Sequence, residues 1–428
     1  MAELIDGPAP QERQAAGDGA LINIFASAEG LADPTPFYRQ LRDESPVHLS
    51  GFGGVVLSRY DDCRALLRDN RFGNGTAGPT GAFGGSPEIV AFRQEMLARR
   101  GDRPLSMLGL DPPDHTRQRA LVSRAFTPRR IEALRTRIAA LADECLDRLA
   151  EAGTADALTV LAEPFPVSVI SEMLGVPASD WPEIRSLVTD LAQSLEPSAN
   201  IEELKRAEAA NNVLWGYFTD LVAVRRRTPA DDLLTGLIQA SDGDDQLSEG
   251  EILAVALLLF GAGAETTTNL IGNAFNALFN HPDQMERLWA DPSLAPSAVE
   301  EVLRFDSPVQ LDGRACTEAA EAAGVRFEPG DRVLTLLGAA NRDASKFDDP
   351  DRFDVGRFAG DNRGEQILSF ASGIHHCLGA NLARAEGQEV MAGLIRRFRR
   401  IEPAGERPYR RRLVLRGLAA CPVTVTPR

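Results

Sequence analysis

The sequence predicts a mainly α-helical protein with small β-sheets, built as one large domain. Three observations carry this. A capping box, Ser248-Glu249-Gly250-Glu251, opens an apolar run through Leu253, Ala256, Leu259 and Phe260 to about Asn280. Helical periodicity dominates from Pro113 to about Gln239. No internal repeat and no Ser- or Gly-rich linker divides the chain. A length of 428 residues admits either about three domains or one large one. The order of the motifs below favours one.

Taken in order, residues 1–20 are polar and rich in Ala, Gly, Gln and Pro, and read as a disordered leader to a domain spanning 21–428. Pro34-Thr35-Pro36-Phe37 opens a short helix to about Glu44. Val55-Val56-Leu57 reads as a strand after a Gly-rich turn, and Asp61 to Asp69 as a helix. The stretch from Arg71 to Pro87 holds six glycines and two prolines, which inside a domain marks a functional loop. The capping-box helix, at ~1.5 Å per residue, spans roughly 45–50 Å and stops at His281-Pro282. Another helix ends near Phe305. Short strands follow at Ala315-Cys316, Val325-Arg326-Phe327 and Val333 to Leu336, then a turn-rich stretch over 341–366. A last helix follows Cys377 to about Arg399. Leu413 to Arg416 and Val423-Thr424-Val425 read as a hairpin.

The formal charge is −16, from 46 basic and 62 acidic residues, and only Lys205 and Lys346 are lysines. This balance argues against nucleic acid and anionic membranes as partners. The longest apolar stretch, Ile252 to Ala264, is 13 residues, short of the ~20 that span a bilayer. With no signal-like apolar run at the start, a soluble, cytoplasmic protein is expected.

The five cysteines lie at 63, 145, 316, 377 and 421, the nearest two 44 residues apart, so no CxxC zinc or redox pair exists. Cys377 stands immediately before a helix, whose first free N–H groups and positive end stabilise a thiolate. Gly373 and Gly379 let the backbone approach something flat and large. The full string, Phe370-Ala371-Ser372-Gly373-Ile374-His375-His376-Cys377-Leu378-Gly379, resembles the cysteine-ligand loop of the cytochromes P-450, the haem-thiolate monooxygenases. The resemblance implies that Cys377 is the axial ligand of haem iron, with Phe370 and Gly379 beside it. One departure is Ala371, where the family usually has Gly.

Further strings support it. Ala262-Gly263-Ala264-Glu265-Thr266-Thr267, midway along the long helix, resembles the family's oxygen-binding groove. That implies catalytic roles for Thr266, in the hydrogen-bond network at oxygen, and for Glu265, in proton relay. Adjacent helical side chains diverge by about 100°, so both cannot face the iron, and Glu265 is expected to turn toward a water path or a buried Arg. Glu301-Val302-Leu303-Arg304 resembles the family's E-x-x-R, and Pro350-Asp351-Arg352-Phe353 its partner, which implies a structural network of Glu301, Arg304 and Arg352. His115 and Arg119 resemble a propionate-binding H-x-x-x-R, with Arg314 and His375 as further propionate contacts. His48 and His281 gain no such support and read as ordinary surface or helix-end residues; His376 reads as packing.

The implied protein has the cytochrome P-450 fold, binds haem b and inserts one atom of O2 into an apolar small molecule, by hydroxylation or epoxidation. Polyketide or macrolide, terpenoid, steroid and fatty-acid-like compounds are the substrate classes. Electrons would come from NAD(P)H through a ferredoxin reductase and a ferredoxin docking at Arg117, Arg124, Arg129 and Arg130, to a monomer. Candidate pocket residues by family position are Phe83, Leu105, Leu108, Leu191, Leu258, Ala262, Val309, Gln310, Leu311 and Leu418. A peroxide-driven or C–C coupling enzyme of the same family and a non-catalytic haem sensor are the alternatives. Retention of Glu265 and Thr266 weighs against the first, and the lack of an output domain against the second.

Overall fold

Ser248 caps the central helix as its sequence predicts: Glu251 N donates to Ser248 Oγ at 3.3 Å, and Ser248 N to Glu251 Oε2 at 2.8 Å. The helix runs Glu249–Asn280, 32 residues, and His281-Pro282 passes the chain directly into the helix Pro282–Ala290. The structure, a computed structural model, describes residues 3–4, 11–74, 86–196, 198–242, 245–360 and 366–428. The central helix is long and apolar enough to cross a membrane, yet 72% of its most apolar window is buried inside the protein. It is hydrophobic nearly all round because other helices surround it, among them Pro164–Met173, Trp181–Ala192, Ile201–Arg227 and Ala380–Arg397. It contributes Val255, Phe260 and Phe275 to a helical core, and Leu270 and Leu278 to a second core against the sheets.

The largest sheet has five strands in the order Val47–Leu49, Val55–Leu57, Arg332–Thr335, Asp312–Cys316 and Phe72–Gly73. Only Val55–Leu57 and Arg332–Thr335 run parallel, in the register Val333 to Val55. The strand Asp312–Cys316 matters most, since it carries Arg314 inward. The hairpin expected between 413–416 and 423–425 does not form. Pro422–Pro427 instead pairs with Phe398–Pro403 on one side and Thr154–Asp156 on the other. Leu415 bridges to Val309. Phe398–Pro403 also ends the last helix at Arg397.

The disordered leader expected over 1–20 is corrected for residues 11–20, which belong to a helix, Gln11–Ala26. It buries Ala20, Leu21 and Ile24 with Tyr38 and Leu41. Its Asp18 carboxylate pairs with His48 Nε2 at 2.8 Å and accepts Ser50 Oγ at 3.1 Å. His48 is therefore no surface residue: it is 1% exposed and lies against the backbone of Gly17, where a Cβ would sit 2.4 Å from its ring. His281 does sit at a helix junction, its Nδ1 2.8 Å from the Ala277 carbonyl.

Candidate active site

A cavity of about 290 Å³ lies between the central helix and the segment around Cys377. One face of the helix lines it through Leu258, Ala262 and Thr266, one turn apart. All five cysteines are free, and Cys63, Cys145, Cys316 and Cys421 are buried. Cys377 alone is exposed, and it lines this cavity.

The loop that presents Cys377 is shaped by backbone. Cys377 N donates to Phe370 O at 2.9 Å, and His376 N to Gly373 O at 3.1 Å. Gly373 has φ +72°, and a Cβ there would lie 2.2 Å from the Leu67 carbonyl, so only glycine fits. Ala371 also takes a left-handed φ, +56°. Cys377 is open to the cavity but enclosed by protein, and that loss of solvent pushes its thiol up; the Gly379 amide, then the charges of Arg119 and Arg384, pull it back. The Arg384 guanidinium stacks 4.5 Å over the Phe370 ring and is held by Glu300 at 2.5 and 3.2 Å.

His115, Arg119, Arg314 and His375 converge on one rim of the cavity. The His115 and His375 rings are 4.3 Å apart. Arg119 Nη2 donates to His376 O at 2.7 Å. Arg314 is anchored through Nη1 to Asn74 Oδ1 at 2.7 Å and to Asp312. Asn74 was not foreseen; a polar residue in a Gly-rich stretch carries no distinctive signal. Both His115 ring nitrogens, His375 Nε2 and Arg314 Nη2 are buried without a partner among the described residues. Burial, then the charges of Arg314, His115 and Arg119, push the His375 pKa down to about 3. A rim of cations and imidazoles with buried, unmatched nitrogens is a site for anionic groups. Beside a cavity-facing cysteine, it fits the carboxylates of a haem.

Thr266 Oγ1 donates to Ala262 O at 2.7 Å, the bond of an ordinary buried threonine, while its side chain lines the cavity. Glu265 turns to two partly buried arginines, accepting Arg410 Nη1 at 2.7 Å and Arg412 Nη1 at 2.5 Å. Arg410 continues to Glu163 at 3.0 Å.

The predicted Glu–Arg–Arg network exists with a different third member. Glu301 and Arg304 are fully buried and bidentate, at 2.8 and 2.9 Å. Arg352 is corrected to Arg357. The Arg352 side chain is 64% exposed and reaches Asp354, whereas Arg357 Nε donates to both Glu301 oxygens at 3.1 Å. The sequence carries two Arg-Phe pairs five residues apart, which is the signal that offered the choice.

Of the pocket candidates, Leu108, Leu258, Ala262, Val309 and Leu311 line the cavity. Phe83 lies outside the described residues. Four others are corrected. Leu105 is 37% exposed. Leu191 packs behind Gly261, and Leu418 near Gly272 in the helical core. Gln310 faces away: Tyr38 Oη donates to its Oε1, and its Nε2 donates to Ser307 O, both at 2.6 Å. Val309 to Leu311 is extended, so alternate side chains point to opposite sides. Leu415 also lines the cavity, as do Leu195 and Val414, which were not foreseen.

A helical fold around an apolar chamber with a cysteine at one wall and a cationic rim defines a haem-thiolate oxidoreductase. Comparison with known proteins agrees. The family profile described as Cytochrome P450 matches residues 83–291 and 293–416. Cytochrome P450 107B1 of Saccharopolyspora erythraea is 40% identical over 418 residues, 95% of this chain and 98% of that protein. A vitamin D(3) 25-hydroxylase of Pseudonocardia autotrophica is 40% identical over 92% of this chain and 94% of its own. The crystal structure of P450BioI with hexadec-9Z-enoic acid ligated acyl carrier protein superposes with a TM-score of 0.84 at 33% identity, covering 94% of this chain and 100% of that one. The chain belongs to the cytochrome P450 family. It is a haem-thiolate monooxygenase, and the family's cofactor is protoporphyrin IX haem iron.

Proposed function

We propose that this enzyme hydroxylates or epoxidises an apolar, medium-to-large molecule held against the central helix. The observation that carries the reading is the cationic rim with its unmatched nitrogens beside Cys377. Cys377 would hold the iron, and His115, Arg119, Arg314 and His375 the propionates. When bound, haem activates O2 for insertion into an unreactive C–H or C=C bond, and a thiolate ligand favours O–O cleavage. The chain supplies the surroundings. Gly379 N–H and nearby arginines steady the thiolate. Leu108, Leu258, Val309 and Leu311 exclude water and orient the substrate by shape. Small Ala262 leaves room beside the helix. Thr266 is the hydroxyl that holds a proton at the reacting face, and Glu265, within its two arginines, is the relay toward solvent.

The relatives support apolar substrates: one is named for vitamin D(3), another carries a fatty acyl chain on a carrier protein. Electrons would arrive from NAD(P)H through a reductase and ferredoxin. Of the arginines proposed for docking, Arg117 is paired with Asp245 and Glu251 and Arg130 with Asp231, while Arg124 and Arg129 are exposed. The test is a spin-state titration of the haem-loaded enzyme with steroids, macrolides, terpenoids and fatty acids, followed by product analysis with ferredoxin and reductase. Response only to small charged metabolites would overturn the reading.

A further inference from the structure

Glu265, Glu300 and Glu301 are each matched by arginine side chains. Glu196 is 1% exposed; among the described residues the groups bonded to its carboxylate are backbone amides, with the Arg412 charge nearby. Leu413 N at 2.8 Å and Val414 N at 3.2 Å donate to Oε2, and Leu415 N at 2.8 Å donates to Oε1. Successive amides converging on one point form an anion-binding concavity. Here the anion is a side chain of the same protein, more than 200 residues away in the chain. Burying a carboxylate is costly unless its bonds are made, and these three amides make them.

The position of this clamp gives it a consequence. Val414 and Leu415 wall the cavity, and so does Leu195, the neighbour of Glu196. Glu196 sits on the turn joining the helices Trp181–Ala192 and Ile201–Arg227. The outer side of that turn is held by Arg93, from the helix Pro87–Arg99. Its Nη1 donates to Ser194 O at 3.0 Å, and its Nη2 to Glu196 O at 2.6 Å. Three segments distant in sequence therefore meet at one residue beside the chamber. Remove the carboxylate, and three adjacent amides behind an apolar wall lose their acceptor. The wall and the turn then part more readily.

We infer that Glu196 is a positioning residue for the substrate: it fixes the Leu413–Leu415 wall and ties it to the interhelical turn, so that it governs passage of apolar ligands into the cavity. The inference rests on reading the cavity as the haem and substrate chamber.

The test uses the haem-loaded enzyme and two variants, Glu196→Gln, which keeps the shape but offers one acceptor oxygen, and Arg93→Gln, which loosens the partly exposed side of the same turn. Hydrogen–deuterium exchange reads the clamp directly. Peptides spanning 413–415 should exchange about tenfold faster or more in Glu196→Gln, as for loss of a charge-assisted hydrogen bond, while the strand Phe398–Pro403 keeps its rate. Stopped-flow mixing with 4-phenylimidazole, an apolar probe that binds haem iron through its ring nitrogen, reads passage. Association and dissociation should both rise several-fold in Glu196→Gln, with a smaller change in Kd, and less strongly in Arg93→Gln. Unchanged exchange at 413–415 would overturn the clamp. Faster exchange with wild-type probe rates would overturn its control of passage. If Glu196→Gln fails to fold, wild-type probe rates in Arg93→Gln overturn the inference. Absence of any nitrogen-ligated spectrum in the wild type would sink the reading of the chamber, leaving the clamp to be decided by exchange alone.

Discussion

Replacing Arg357 and Arg352 in turn by glutamine separates a buried network from a surface pair. Arg357 is 11% exposed at its side chain and among the described residues donates two hydrogen bonds to Glu301 and one each to the carbonyls of Asp348, Asp349 and Arg352. Removing one partner of a buried ion pair costs about 3–5 kcal/mol when the other charge is stranded. Glu301 is not fully stranded, because Arg304 remains bidentate and Asp354 N still donates to it at 2.9 Å. A loss of about 2–3 kcal/mol is expected for Arg357→Gln, roughly one or two charge-assisted hydrogen bonds. Arg352 offers its carbonyl to the network, which any residue retains, and its exposed side chain to Asp354. Arg352→Gln should therefore stay within about 0.5 kcal/mol of wild type. Urea unfolding of the haem-loaded proteins, followed by circular dichroism, gives both values from midpoint and slope, provided the slope is unchanged. An Arg352→Gln loss equal to or larger than that of Arg357→Gln would refute the assignment.

Four further outcomes follow from the same geometry. Cys377→Ser should abolish the red-shifted spectrum of the reduced, carbon monoxide-bound protein, and substitution of any of the four buried cysteines should not; the reverse pattern would displace Cys377 as ligand. Thr266→Ala should keep that spectrum but release more hydrogen peroxide per NAD(P)H oxidised, while Glu265→Gln slows turnover overall; full coupling in Thr266→Ala would mean that the hydroxyl serves only the Ala262 carbonyl. The carboxyl of Glu386 is pushed by burial from the ordinary 4.5 up to about 8, although the Thr267 hydroxyl bonds to it. The folded protein thus keeps a proton that the unfolded chain has lost, so this contribution to stability is whole below about pH 4.5 and is lost as pH rises through about 8; Glu386→Gln should flatten the fall in unfolding temperature across that window, and parallel wild-type and variant curves would contradict it. Ala371→Gly should raise stability by about 0.5–1 kcal/mol by relieving a left-handed alanine, read from the same urea midpoints, and a loss would show that its methyl packs to advantage.

What was legible in the sequence was local. The capping box at Ser248 uses atoms three residues apart, and the bonds closing the Cys377 loop join residues within seven of each other. Such contacts depend on residue type and spacing, which a string displays. His115 and Arg119, four residues apart on the helix Asp114–Ala125, share a face by spacing alone, but their convergence with Arg314 and His375 was legible only through resemblance to a family. Tertiary packing made the remaining choices. Two Arg-Phe pairs were on offer near Glu301, and the path of the backbone sent the guanidinium of Arg357 inward and that of Arg352 to solvent. Pairing of Val309 with Leu415 made the segment extended, which put Val309 and Leu311 in the chamber and Gln310 against Tyr38. The arginines holding Glu265 lie 145 and 147 residues further along, and the histidine that anchors Asp18 lies 30 residues on. A charge or an apolar residue announces that it needs a partner; which partner it finds depends on segments that approach only when the core closes.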